Sequence, residues 1–149
     1  MAQSATTVHA SAVLVGARAV LIRGPSGAGK SRLALALIEA ARTGTLRFAK
    51  LVGDDRVHLD PANGRLLVRP AEALAGLIEV RGVGIRRLDY EPQAVVGLVV
   101  DLAAADAERL PETERQYTVI AGLSLPRLAI AAGQEALPAV LATLTSAVP

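Results

Sequence analysis

Gly24-Pro25-Ser26-Gly27-Ala28-Gly29-Lys30-Ser31 fits the pattern G-x-x-x-x-G-K-[ST] at every fixed position, and its flanks decide what it means. Ala19-Val20-Leu21-Ile22 before it is a short apolar run suited to a buried strand, and Leu33 to Ala41 after it is strongly helix-forming. Strand, loop and helix come in the order of a P-loop, which sets the fold class as α/β. The glycines let the backbone curl so that its N–H groups point at phosphate oxygens, with the positive end of the helix dipole beneath the same anion. In this motif Lys30 reaches the β- and γ-phosphates and the Ser31 hydroxyl is a ligand of Mg²⁺. Of sixteen basic side chains only Lys30 and Lys50 are lysines, so a lysine at the position the motif demands looks like a requirement.

At 149 residues and 52% hydrophobic, the chain suits one core, and we expect a single domain over 1–149. Cysteine is absent, which excludes disulfides and thiolate metal sites and suits a reducing compartment. No apolar run reaches the roughly 18 residues of a membrane span, and the N-terminus lacks the basic start of a signal peptide, so the expected location is the cytoplasm. The formal charge is +2, the arginines are spread along the chain and aromatics make up 2%, an arrangement that argues against a nucleic-acid partner.

Working outward, Val8 to Val15 and Arg18 to Arg23 read as a hairpin turning at Gly16-Ala17, and the helix after Lys30 should stop near Thr43-Gly44. Ala49 to Asp55 is a short apolar run ending in two carboxylates. Val57 to Leu59 and Arg65 to Val68 flank Asn63-Gly64 and predict a second hairpin. Leu77 to Ile85 reads as extended, with glycines that permit close backbone approach. Ala94 to Leu102 is the expected central strand. Ala103 to Tyr117 is polar surface, Leu123 to Pro126 a last short strand, and Arg127 to Ser146 largely helical with Pro138 a break or first-turn residue.

A P-loop kinase also needs a carboxylate that orients magnesium and, for a hydroxyl acceptor, a base near the γ-phosphate. Asp54-Asp55 is the first candidate. In an extended chain neighbouring side chains point to opposite faces, so at most one of the pair faces the nucleotide, and spacing leaves open which. Glu79 and Arg81, two apart, would share one face, the first suited to Mg²⁺ and the second to phosphate. A surface ion pair is the alternative reading of the same spacing.

His9, the P-loop, Leu51-Val52-Gly53-Asp54-Asp55-Arg56-Val57 and Glu79-Val80-Arg81-Gly82-Val83-Gly84-Ile85 together resemble, in order and approximate spacing, the catalytic domain of HPr kinase/phosphorylase. The resemblance implies a mixed-sheet P-loop kinase domain like that of phosphoenolpyruvate carboxykinase, in the short proteobacterial form without an N-terminal domain. It further implies ATP- and Mg²⁺-dependent phosphorylation of a serine in an HPr-like phosphocarrier protein, and a homohexamer. On this basis Gly24 to Ser31 and Arg81 bind nucleotide, Ser31 and Glu79 hold the metal, and His9, Lys30, Asp55 and Arg109 are catalytic, with Asp55 the base. Two departures stand out. Gly122 to Ala129 replaces the family's arginine-containing loop for phosphorolysis, so only the kinase direction is carried over. Arg32 stands where many members have an acidic residue. A small-molecule P-loop kinase and a non-catalytic ATP-binding regulator are the two other classes the motif allows.

Overall fold

A computed structural model of the chain describes residues 6–149. Strand β1 (Val8–Val15) turns into β2 (Arg18–Arg23), the two pairing antiparallel from Val15↔Arg18 to Ala10↔Arg23, as the glycine between them predicts. The glycine-rich loop then leads into α1 (Lys30–Arg42), which stops at Thr43 with Gly44 beyond it at φ 87°. β3 (Ala49–Gly53) returns antiparallel to β1, and β4 (Arg56–Ala62) makes the expected hairpin with β5 (Arg65–Pro70) through Asn63-Gly64. β6 (Leu77–Val80) and β7 (Gly84–Arg87) form a separate two-stranded sheet. β8 (Ala94–Asp101) is the central strand. It lies parallel to β2 and to β10 (Leu123–Ala129) and antiparallel to β5, so the sheet is mixed. β9 (Tyr117–Ile120) pairs with β10 at the edge, and α2 (Ala136–Thr145) closes the chain against α1.

Pairings β1–β4, β4–β5, β5–β8, β8–β2 and β2–β1 make a closed circuit of five strands. Alternation along each strand sorts the apolar side chains onto its two surfaces. Ala10, Ala12, Leu21, Leu66, Val68 and Val99 pack in one buried cluster, whereas Val13, Val20, Ile22 and Val100 face Leu33 and Leu37 of α1 in the other. Two bulges keep this sorting intact. At Gly97 the β2–β8 register shifts by one, and a Cβ there would lie 2.7 Å from the Arg18 Cβ. At Val52 the β1–β3 register shifts likewise, and the next residue, Gly53, leaves no room for a side chain because a Cβ would meet Val57 Cγ1 at 2.8 Å and Pro70 Cα at 3.1 Å.

Three sequence expectations need correction. Arg127 to Ala129 is strand, and helix begins only at Ala136, with Pro138 in its first turn. Glu79 and Arg81 do not share a strand face, because β6 ends at Val80 and Arg81 opens the turn. Gly82 and Gly84 serve that turn through positive φ angles of 82° and 104°, and a Cβ on either would meet nothing within 4 Å, so nothing packs against the side a Cβ would occupy. Among the described residues no helix is long and apolar enough to cross a membrane.

Candidate active site

β2 delivers the chain into the loop Gly24–Gly29, and α1 begins on Gly29, which is left-handed at φ 98° and gives no side-chain cap. The first intrahelical bond is Leu33 N–H to Gly29 O at 2.9 Å. The N–H groups of the first turn are therefore orphan donors at the positive helix end, with no acidic side chain in that turn to neutralise them. An anion fits there. Lys30 Nζ donates to Gly24 O at 2.8 Å and Pro25 O at 3.1 Å, which holds the ammonium on the loop it would serve.

Asp54 is the hub. It is 3% exposed and follows β3 where β1 passes from pairing with β3 to pairing with β4. Ser31 Oγ lies 2.8 and 2.7 Å from its two oxygens, Ser11 Oγ donates to Oδ1 at 2.5 Å, and Glu79 N–H donates to Oδ2 at 3.2 Å. Asp55 points the other way. Its backbone is left-handed at φ 68° and its side chain is 68% exposed, with Oδ1 3.9 Å from His9 Nδ1. Arg56 Nη2 lies 2.8 Å from His9 Nε2, and a guanidinium can only donate, so Nε2 is the acceptor and Nδ1 carries the proton toward Asp55. On the other side of the loop a cleft of about 600 Å³ runs between Ser26–Gly29, Leu33 and Ala36 on one wall and Ile130–Pro138 on the other. Arg32 Nη2 and Glu135 Oε1 face each other at 3.8 Å, both exposed, so the departure at Arg32 has a counter-charge.

Behind the site, Arg23 Nε and Nη2 bind the two oxygens of Asp101 at 2.7 and 2.9 Å, and Arg127 Nε binds Asp101 Oδ2 at 2.6 Å. Arg127 also holds Asp106 through Nη1 and Nη2 at 2.8 and 2.9 Å. Burial pushes the Asp101 carboxyl up, but the hydrogen bonds from Arg23 and Arg127 outweigh it and hold the group below the usual carboxylate range. The hydrogen bond to Asp106 likewise raises the Arg127 guanidinium above its usual value.

The sequence and the fold both have relatives among known proteins. The family model of the HPr Serine kinase C-terminal domain matches residues 1–142. The chain belongs to this family. An HPr kinase/phosphorylase of Geobacillus thermodenitrificans is 34% identical over 136 residues, 84% of this chain and 42% of that protein. One from Streptococcus thermophilus is 44% identical over 81 residues, 54% of this chain and 24% of that protein. The Hpr(Ser) kinase/phosphatase structure from Coxiella burnetii superposes with a TM-score of 0.72 at 26% identity, covering 93% of this chain and 87% of that one. The chain spans less than half the length of these two HPr kinase/phosphorylases.

Within this HPr kinase-type fold, Ser31 reaches Asp54 through its hydroxyl and Glu79 reaches it through its backbone N–H, the Glu79 side chain being exposed, while Asp55 turns outward and His9 joins it there. Arg81 and Arg109 do not reach these groups. Both are exposed, and among the described residues neither hydrogen-bonds nor ion-pairs with Lys30, Ser31, Asp54 or Asp55. Spacing alone leaves the central place of Asp54 open, and Ser11 belongs to no motif that would single it out. A polar residue alone in the run Ala10 to Val15 is the one signal it offers.

Proposed function

We propose that the chain is a single P-loop catalytic domain that uses ATP and Mg²⁺ to phosphorylate a serine of an HPr-like phosphocarrier protein. The observation that carries this reading is the contact of Ser31 with buried Asp54 under the glycine-rich loop, with a second carboxylate, Asp55, turned outward beside His9. Family membership supports the acceptor class.

Hard oxygen donors fit Mg²⁺, and Ser31, Asp54 and Glu79 are such a set. Mg²⁺ in nucleotide sites takes most of its remaining ligands from phosphate and water. When bound it would neutralise charge on the β- and γ-phosphates. The orphan N–H groups of the loop and of α1 orient the phosphates, and Lys30 exchanges the carbonyls of Gly24 and Pro25 for phosphate oxygens. Asp55 accepts the proton of the incoming serine hydroxyl, with the His9 ring beside it, Nδ1 3.9 Å from Oδ1. Positioning counts for more than basicity here, because the transition state is loose. Arg81 and Arg109 are assigned to phosphate and transition-state charge when substrates bring their segments in.

Kinase action without phosphorolysis is part of the proposal. Gly122–Ala129 is largely β10, and its arginine, Arg127, is fully engaged by Asp101 and Asp106. The cytoplasm and a homo-oligomer, a hexamer by family resemblance, complete the reading. The test is incubation with γ-labelled ATP, Mg²⁺ and HPr-type proteins of the host, followed by mapping of the label. Label on an HPr serine that is lost with Lys30→Ala and Asp55→Asn, while Asp55→Asn still binds ADP, supports the assignment. A fully active Asp55→Asn enzyme removes Asp55 as the base, and ATP binding without transfer to any HPr removes the kinase.

A further inference from the structure

Among the described residues the buried polar side chains are Ser11 and Asp54, and they are bonded to each other. Ser11 stands between Ala10 and Ala12 in β1, is fully buried, and could be alanine without leaving a hole larger than one oxygen. A buried hydroxyl costs stability unless it is paired, so its presence calls for a reason beyond packing. Its Oγ lies 2.5 Å from Asp54 Oδ1, the length of a charge-assisted O–H···O⁻ bond.

The Asp54 carboxylate takes its three donors from three elements: Ser11 on β1, Ser31 on α1 and the Glu79 N–H on β6. Ser31 has one proton to give. While it gives that proton to Asp54, its oxygen lone pairs stay available to a cation. A carboxylate free to rotate would lose this arrangement. Ser11 blocks the rotation, because turning Oδ1 away would strand a fully buried hydroxyl.

We propose that Ser11 is a positioning residue for the cation that accompanies the nucleotide: from inside β1 it fixes the Asp54 carboxylate, which in turn presents the Ser31 oxygen. The inference rests on the nucleotide and Mg²⁺ reading above and adds a residue to it. No step of the chemistry passes through Ser11. Its effect is on how tightly the metal is held.

The experiment uses the full chain with Mn²⁺ as the probe. Free Mn²⁺ is followed by electron paramagnetic resonance in the presence of saturating ADP, and ADP binding without metal is measured by calorimetry in EDTA. For Ser11→Ala, Mn²⁺ affinity should fall roughly 10-fold or more while metal-free ADP affinity stays within about 2-fold, as expected for loss of a group that orients a metal ligand. Ser11→Cys, close in size but a weak donor, should behave as the alanine variant does, and it provides a second protein if that variant fails to fold. Unchanged Mn²⁺ affinity in a folded variant overturns the proposal, and so does a parallel loss of both affinities, which is the signature of a packing defect. A wild-type chain that binds ADP but no Mn²⁺ overturns the metal reading itself, and one that binds neither overturns the nucleotide reading.

Discussion

Asp54 and Asp55 are neighbours in sequence with opposite surroundings, and the difference follows from one backbone angle. Asp55 adopts a left-handed conformation at φ 68°, which Asp and Asn tolerate better than most residues, and this turns its side chain to solvent while Asp54 stays under α1. The two substitutions should therefore separate stability from function. Asp54→Ala strands the Ser11 hydroxyl and the Glu79 N–H, and unpaired buried donors of this kind predict a loss of about 2–4 kcal/mol in urea unfolding. Asp55→Asn should lie within about 0.5 kcal/mol of wild type, since it is exposed and asparagine suits the same φ. Equal stability of the Asp54 and Asp55 variants would contradict the role of Asp54 as a buried hub.

At the scale of elements, β10 and the loop after β8 are joined through one arginine. Arg127 is 12% exposed and Asp101 15%, so their pairing is shielded from solvent. Asp101 is held below its usual 3.8 in the folded chain, so its contribution is fully present above that value and is lost as pH falls through the lower folded value. Acid unfolding below about pH 4 should therefore be less steep in Asp101→Asn than in wild type, as followed by circular dichroism across pH. An identical acid limb in both proteins would sink the idea. The same elements show what a sequence reader can and cannot see. Both early hairpins are legible because their turns are local, Gly16-Ala17 and Asn63-Gly64. The end of β10 is not, because Arg127-Leu128-Ala129 has helix-favouring residues and only pairing with Val99 to Asp101 makes it strand. In the site, Lys30 and Ser31 sit in a local motif. Ser11 and Asp54 become a pair only across 43 residues of chain, a distance that no periodicity reports.

For the molecule as a whole, the glycine-rich loop and the cleft beside α2 lie on the helical side of the sheet, while the five-strand circuit closes beneath. The two surfaces divide the labour. The helical side carries the groups assigned to nucleotide, and the circuit holds the strand that carries Ser11. β1 binds β2 along one edge and β3 then β4 along the other, and Asp54 lies at the changeover. A closed circuit cannot fray from an edge, so local opening at this point requires the ring to break. The amide hydrogens of Ser11, Ala12 and Val13 should then exchange with deuterium only through global unfolding, at the full unfolding free energy, while those of β7 and the segment Ala103 to Gln116 exchange early. The carboxylate that contacts Ser31 would thus belong to the slowest-opening part of the chain, and Arg109, proposed to meet the substrate, to its fastest.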